Sequence, residues 1–218
     1  MKKYYPMMVN LEGKNCVVIG GGEVAERKVA SLMEYGGCVK LISPHITVNL
    51  RHWAEDKKII WKMKNYQWGD LESAHLIFVA TDNPEVNLLC YQEASQRSIP
   101  INVADMPHLC DYIVPAVIQR GELSIMISTN GKSPMLSRKI REELEVCYDE
   151  IYGDYITLLG ELRQKVLKEV ADIQQRKAIF KKVIYSDLQK QEAYKEIADL
   201  REAIEKVYET MKKEYLDR

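Results

Sequence analysis

Residues 14 to 30, KNCVVIGGGEVAERKVA, constrain the fold of this chain more than any other stretch, because an apolar run there leads straight into glycines and then into a helical pattern. Cys16, Val17, Val18 and Ile19 are continuously apolar, as a parallel strand covered on both faces requires. Gly20, Gly22 and Ala25 follow at the spacing G-x-G-x-x-A, and Ala25, Val29, Leu32 and Met33 recur at helical intervals. In such a strand-turn-helix unit the first glycine permits the tight turn and the second lets a pyrophosphate approach the backbone. The small third residue lets the helix pack close to the strand. The first N–H groups of the helix are then the phosphate donors. Glycines alone also mark ordinary turns, so the strand before and the helix after carry the dinucleotide reading.

The rhythm continues downstream. Cys38 to Ser43 reads as a second strand, Ile59 to Trp61 as a short third, His75 to Ala80 as a strongly apolar fourth and Pro100 to Val103 as a fifth. Asn83-Pro84 opens a helix running through Leu88, Leu89 and Ala94. Strands alternating with helices predict an α/β fold, a Rossmann-type doubly wound parallel sheet, over residues 1–112. After Asp111 the pattern changes: Tyr112 to Gln119 and Glu122 to Thr129 are β-rich runs about an Arg120-Gly121 turn, and Ser133-Pro134 caps a new helix. Residues 113–148 are therefore read as a small β-containing segment. Residues 149–218 are read as a helical domain, with stripes at Leu158, Leu162, Lys165, Val166, Glu169 and Val170 and at Ile197, Leu200, Ile204 and Val207.

Composition narrows the classes of partner. Lys plus Arg number 31 against 32 Asp plus Glu, a formal net charge of −1, so no global field draws the chain to nucleic acid or to a membrane surface. The chain opens on two lysines, but the apolar run after them is too short for a signal-peptide core, and no long apolar span follows. Cys16, Cys38, Cys90, Cys110 and Cys147 are odd in number and contain no C-x-x-C pair. Four of them lie in apolar surroundings and are expected to be buried thiols in a reducing, cytoplasmic setting. No cluster of His or Cys points to a metal site.

One departure from the common dinucleotide pattern bears on the cofactor. Where NAD-binding folds carry an Asp or Glu for the ribose hydroxyls, at the end of the second strand, this chain has Ser43. A serine can hydrogen-bond the ribose but supplies no cation for a 2′-phosphate. Glu23 beside the phosphate turn opposes a second phosphate, which favours NAD over NADP.

With both halves in view, the sequence resembles the precorrin-2 dehydrogenase family, the module that also forms the front part of siroheme synthases. The resemblance covers residues 4–147 and rests on YPMMVNLEGKNCVVIGGGEVAERK, ATDNPEVN, INVADMPHLCDYIVPAVIQRGELSIMISTNGKSP and MLSRKIREELE. It implies NAD-dependent oxidation of precorrin-2 to sirohydrochlorin on the route to siroheme, in a homodimer built from the middle segment. Some relatives also insert ferrous iron, but beyond residue 147 only helical character is shared. Carried residue by residue, Gly20, Gly22, Glu23 and Val24 match the family's cofactor turn, and Ser43, Pro44 and His45 the loop after its second strand; Thr81 joins them as a cofactor residue. Asp105 matches the catalytic aspartate, and Thr129 stands where some relatives have a serine.

Chemistry gives these positions a rationale. Precorrin-2 is a large polyanion, so its pocket needs cations or helix N-termini; Asn130, Gly131, Lys132 and Ser133 precede a helix start, and Arg138, with Lys139 and Arg141, decorates its first turns. The same basic residues would equally solvate a surface helix. Asp105 directly follows the fifth strand, at the carboxyl edge where open α/β sheets bind ligands, and a carboxylate there can take the proton that accompanies hydride loss. His108 is a secondary proton acceptor. A second reading stays open: ATDNPEVN after a glycine turn also resembles the non-enzymatic nucleotide-sensing domains that regulate potassium transport. Those are expected to keep an acid at position 43 and to lack ISTNGKSP.

Overall fold

The structure, a computed structural model, describes residues 4–191 and 196–216. It divides into two compact units, one ending at Val114 and one beginning at Pro115.

In the first unit, β1 (Asn15–Ile19), β2 (Cys38–Ile42), β3 (Ile60–Lys62), β4 (Leu76–Val79) and β5 (Ile101–Val103) form one parallel sheet in the order β3-β2-β1-β4-β5. Alternation of side chains assigns its two faces. Cys16 and Val18 of β1 pack with α1 (Glu23–Glu34) and α2 (Val48–Glu55) through Ala25, Val29, Leu32 and Leu50. Val17 and Ile19 pack on the other face with α3 (Pro84–Arg97) through Cys90 and Ala94. The sheet is thus doubly wound, and its order reverses between β1 and β4, the place where such sheets open a ligand crevice. Against the runs expected from the sequence, β1 gains Asn15 and β3 is shifted by one residue toward the C-terminus, while β2, β4 and β5 are shorter by one residue at one or both ends.

α3 departs from a simple amphipathic reading. Leu88 and Leu89 face outward, while Asn87 and Glu93 are buried. The Glu93 carboxylate accepts from Tyr66 Oη (2.5 Å), Gly69 N (2.9 Å), Leu71 N (3.3 Å) and Arg97 Nε (2.9 Å), pinning the loop before β4 to the helix. All four partners are donors, so this buried charge is fully hydrogen-bonded, and removing one side of such a pair costs about 3–5 kcal/mol.

The second unit joins an antiparallel hairpin, β6 (Ala116–Arg120) and β7 (Leu123–Ile127), to α4 (Pro134–Cys147), α5 (Ile151–Glu169), α6 (Ile173–Ile184) and α7 (Ile197–Leu216). The hairpin turns on Gly121 and Glu122, one residue later than expected, with Gly121 at φ +53°. The helical core gathers Tyr155, Leu158, Leu162, Val166, Ile179, Val183, Leu200, Ala203, Ile204 and Tyr208. Ile197, expected in the last stripe, is exposed because it opens α7, and Tyr208 takes the buried place one turn beyond Ile204. Lys165 and Glu169 flank that core rather than join it: Lys165 pairs with Glu205 at 2.6 Å, and Glu169 accepts from Tyr208 Oη at 2.8 Å. Residues 192–195 and 217–218 of the expected helical domain lie outside the described residues.

Three cysteines, Cys16, Cys90 and Cys110, are buried, one fewer than expected; Cys38 and Cys147 are exposed, as the first residue of β2 and the last of α4. No helix among the described residues is long and apolar enough to cross a membrane.

Candidate active site

The ends of β1, β2 and β4 converge on the glycine turn. Gly20 N donates to Ile42 O at 3.0 Å, and at φ +110° a Cβ on Gly20 would lie 2.1 Å from Ala80 O. No L side chain is compatible with that position. Gly21, to which the fingerprint assigns no role, is as tightly held: a Cβ there would meet His45 O at 2.0 Å and Ser43 Oγ at 2.8 Å. Gly22 is the opposite case. It is the N-cap of α1 in extended conformation, a Cβ added to it would have nothing within 4 Å, and no side chain caps the helix. The helix therefore presents its first-turn N–H groups beside open space, which is what a pyrophosphate needs. Glu23 and Val24 are exposed on this first turn, and Ala25 is fully buried against the sheet.

The loop after β2 is built to face the same turn. Ser43 is 6 % exposed, and its hydroxyl donates to His45 O at 2.6 Å, so its proton is used inside the loop while Pro44 and His45 form the exposed rim. Thr47 N donates to Gly21 O at 3.0 Å. Glu26 of α1 accepts from Thr47 Oγ1 at 2.5 Å and Asn49 Nδ2 at 2.7 Å, and these two donors hold its carboxyl below the usual carboxylate range. Glu26 carried no signal in the sequence beyond being a first-turn acid.

Thr81 stands just past β4 and is half-buried; its hydroxyl donates to Asn87 Oδ1 at 2.7 Å. Asp105 occupies the third position of a turn closed by Met106 N donating to Val103 O at 3.3 Å, and it is exposed in the left-handed region at φ +58°. That conformation favours Gly and Asn, with Asp tolerated because its short side chain bonds locally. His108 is exposed in the short 3-10 turn Pro107–Leu109 that follows. Thr81 and the Asp105 turn are thus neighbours at the carboxyl edge, through Asn87. Asn87 is a buried polar residue at this edge that sequence reading passed over; its signal was its place on the 87, 90, 94 stripe of the buried helix face.

The residues expected to meet substrate carboxylates lie in the second unit. Asn130 and Gly131 take positive φ, +52° and +77°, in a loop where Lys132 N donates to Thr129 O at 3.1 Å. Ser133 Oγ accepts from Leu136 N at 3.2 Å as the N-cap of α4. Thr129 Oγ1 bonds Ser133 and the buried Ser137, which fixes the loop to the helix. Lys132 is exposed and has no ion-pair partner among the described residues. Arg138 is engaged by Glu142 at 2.8 Å, Lys139 by Glu143 at 3.6 Å and Arg141 by Glu145, an i, i+4 ladder along the helix surface. Among the described residues no group of three or more His, Cys, Asp or Glu is placed to hold a metal ion.

Comparison with known proteins agrees with this geometry. Residues 7–116 match a family model described as putative NAD(P)-binding, and residues 120–146 match one described as the central part of sirohaem biosynthesis proteins. The second match falls on the segment that separates the enzyme reading from the nucleotide-sensing one. Similar proteins include the siroheme synthases of Nitrosococcus oceani, 32% identical over 85% of this chain, and of Ruthia magnifica, 36% identical over 82%. The chain spans about 40% of the length of those relatives (40% and 38%). A solved structure described as SirC, precorrin-2 dehydrogenase, is similar with a TM-score of 0.75 at 26% identity, over 94% of this chain and 100% of that one.

Proposed function

Because this chain belongs to the precorrin-2 dehydrogenase family, whose module recurs in siroheme synthases, we propose that it oxidises precorrin-2 to sirohydrochlorin with NAD. The observation that carries the reading is the placing of an exposed carboxylate, Asp105, on a tight turn at the same carboxyl edge of the sheet as the open turn at Gly22. The reaction removes two hydrogens from carbon: precorrin-2 and NAD⁺ give sirohydrochlorin, NADH and a proton. NAD, when bound, supplies the hydride acceptor.

Everything else falls to the chain. The first-turn N–H groups of α1 and the bare Gly22 hold the pyrophosphate, with Gly20 shaping the turn. Glu23 and Val24 border it, and Ser43, Pro44 and His45 form the ribose side, where Ser43 itself supplies no cation for a 2′-phosphate, which suits NAD. Thr81 closes the β4 side. Asp105 takes the substrate proton or holds the substrate for transfer. Asn130, Gly131, Lys132 and Ser133 bind substrate carboxylates, with Arg138 contributing only where a carboxylate displaces Glu142.

The working unit is a homodimer formed through residues 112–147. Its support is a two-stranded hairpin whose outer edges pair with no other strand among the described residues, together with exposed Met126, Met135 and Val146. None of the five cysteines is in a disulfide, which suits the cytoplasm. Mixing the protein with precorrin-2 and NAD under anaerobic conditions tests the reading. NADH and sirohydrochlorin should appear in equal amounts, and absence of both would refute it.

A further inference from the structure

The Asp105 turn is held from below by two side chains, neither of which belongs to the cofactor turn or the substrate loop. Asn87, 4 % exposed in α3, is bonded through both ends of its amide. Its Oδ1 accepts from Thr81 Oγ1 at 2.7 Å; its Nδ2 donates to Thr81 O at 3.2 Å and lies 3.8 Å from Met106 Sδ. Cys110 Sγ brackets the backbone of the same turn, accepting from Val103 N at 3.3 Å and lying 3.3 Å from Val103 O and 3.4 Å from Met106 O. Val103 and Met106 are the two ends of the turn that carries Asp105.

We propose that Asn87 is a positioning residue, which locks the Asp105 turn to the Thr81 loop so that the carboxylate and the β4 end of the cofactor crevice keep one register. The inference rests on the reading of Asp105 given above. Three points support it. A buried amide with both ends satisfied is rigid, because each of its bonds would be replaced by an unsatisfied buried group on movement. Asp105 is in a sparsely populated conformation that persists only where the surroundings over-determine it. Asn87 is the described side chain that reaches both the loop after β4 and a residue adjacent to Asp105. A leucine of similar size would fill the space and orphan the Thr81 carbonyl, so packing alone does not account for an asparagine at this place.

Two measurements on Asn87→Ala test the proposal. Amide exchange reads the turn directly: the Met106 N–H should exchange about tenfold faster than in wild type, while Ile118 in the hairpin stays unchanged. Turnover reads the coupling: kcat for NADH formation should fall about tenfold with KM for NAD within threefold, as expected when a reacting group is misplaced rather than removed. In the Asp105→Asn background the same substitution should then add little, because the two act through one carboxylate. Losses that multiply, or Met106 exchange equal to wild type, would overturn the proposal. Should Asn87→Ala fail to fold, Thr81→Val removes the hydroxyl half of the pair from outside the helix and must raise Met106 exchange in the same direction. If the wild-type protein forms no NADH, the dehydrogenase reading fails, and the exchange arm still decides whether Asn87 holds the turn.

Discussion

Gly22→Asp separates cofactor binding from folding more cleanly than any other change in this chain. The position is extended (φ −83°, ψ −172°), so an L residue adopts it without strain, and a Cβ there meets nothing within 4 Å. Aspartate is also a good N-cap, able to accept from the N–H groups of Val24 or Ala25, so the helix should be unchanged or stabilised by a few tenths of a kcal/mol. A bound pyrophosphate loses twice. The donors it needs are taken by the new carboxylate, and a like charge about 4 Å away costs roughly 1 kcal/mol in water and about 4 kcal/mol at the effective dielectric of a protein surface. The turn is exposed, so a value near the middle of that range applies, which corresponds to a loss in NAD affinity of about 10²-fold. Calorimetric titration with NAD and a thermal melt of the same sample measure both quantities. Gly22→Ala, which adds only a methyl group into open space, should weaken NAD by far less. An affinity for Gly22→Asp within threefold of wild type, at an unchanged melting temperature, would show that the phosphates do not lie at this turn.

Three further outcomes are expected. Asp105→Asn keeps side-chain size and suits φ +58° at least as well as aspartate, so NAD affinity and melting should hold while NADH formation falls by roughly 10² or more; near-normal turnover would remove Asp105 from the reaction. Sedimentation at micromolar concentration and physiological salt should show a dimer that Met126→Asp, on the hairpin, dissociates, and a wild-type monomer under those conditions refutes the interface. Burial pushes the thiol of Cys16 up to about 11 and that of Cys90 up to about 12, from an ordinary value of 9.0. The fold thus favours their neutral form, and this stabilisation is complete below pH 9 and is lost as pH rises through 11 to 12. Urea midpoints measured from pH 8 upward should fall accordingly, and at pH 8 a thiol reagent should modify Cys38 and Cys147 well before the buried three.

The first unit was legible because its signals are local and agree with one another. Cys16 to Ile19 are apolar on both sides, the glycine spacing fixes the turn, and Asn83-Pro84 caps α3 with Asn83 Oδ1 accepting from Glu85 N and Val86 N. What stayed hidden depends on partners distant in sequence. Nothing local marks Glu93 as buried, since its neutralising donors come from residues 66 to 71 and from Arg97. Arg138 is the local exception: Glu142 one turn away is a legible i, i+4 partner, but that spacing alone does not separate a helix-face cation from one that meets a substrate carboxylate. Asn87 was visible as a letter of ATDNPEVN, but its role needs Met106, which only the fold brings near.

The strand order has a consequence for how this protein emerges from a ribosome. β1 is the central strand, flanked on one side by β2 and on the other by β4, whose Val79 pairs with Ile19 about 60 residues earlier. At a synthesis rate of about 5–20 residues per second, β1 waits roughly 3–12 s with one ladder edge bare and its most apolar residues uncovered on that side. During that interval the nascent chain exposes CVVI as an unpaired parallel edge, the kind of segment that other chains and holding chaperones recognise. Changes that slow translation between residues 20 and 79 should therefore lower the yield of folded protein without altering the stability of what does fold.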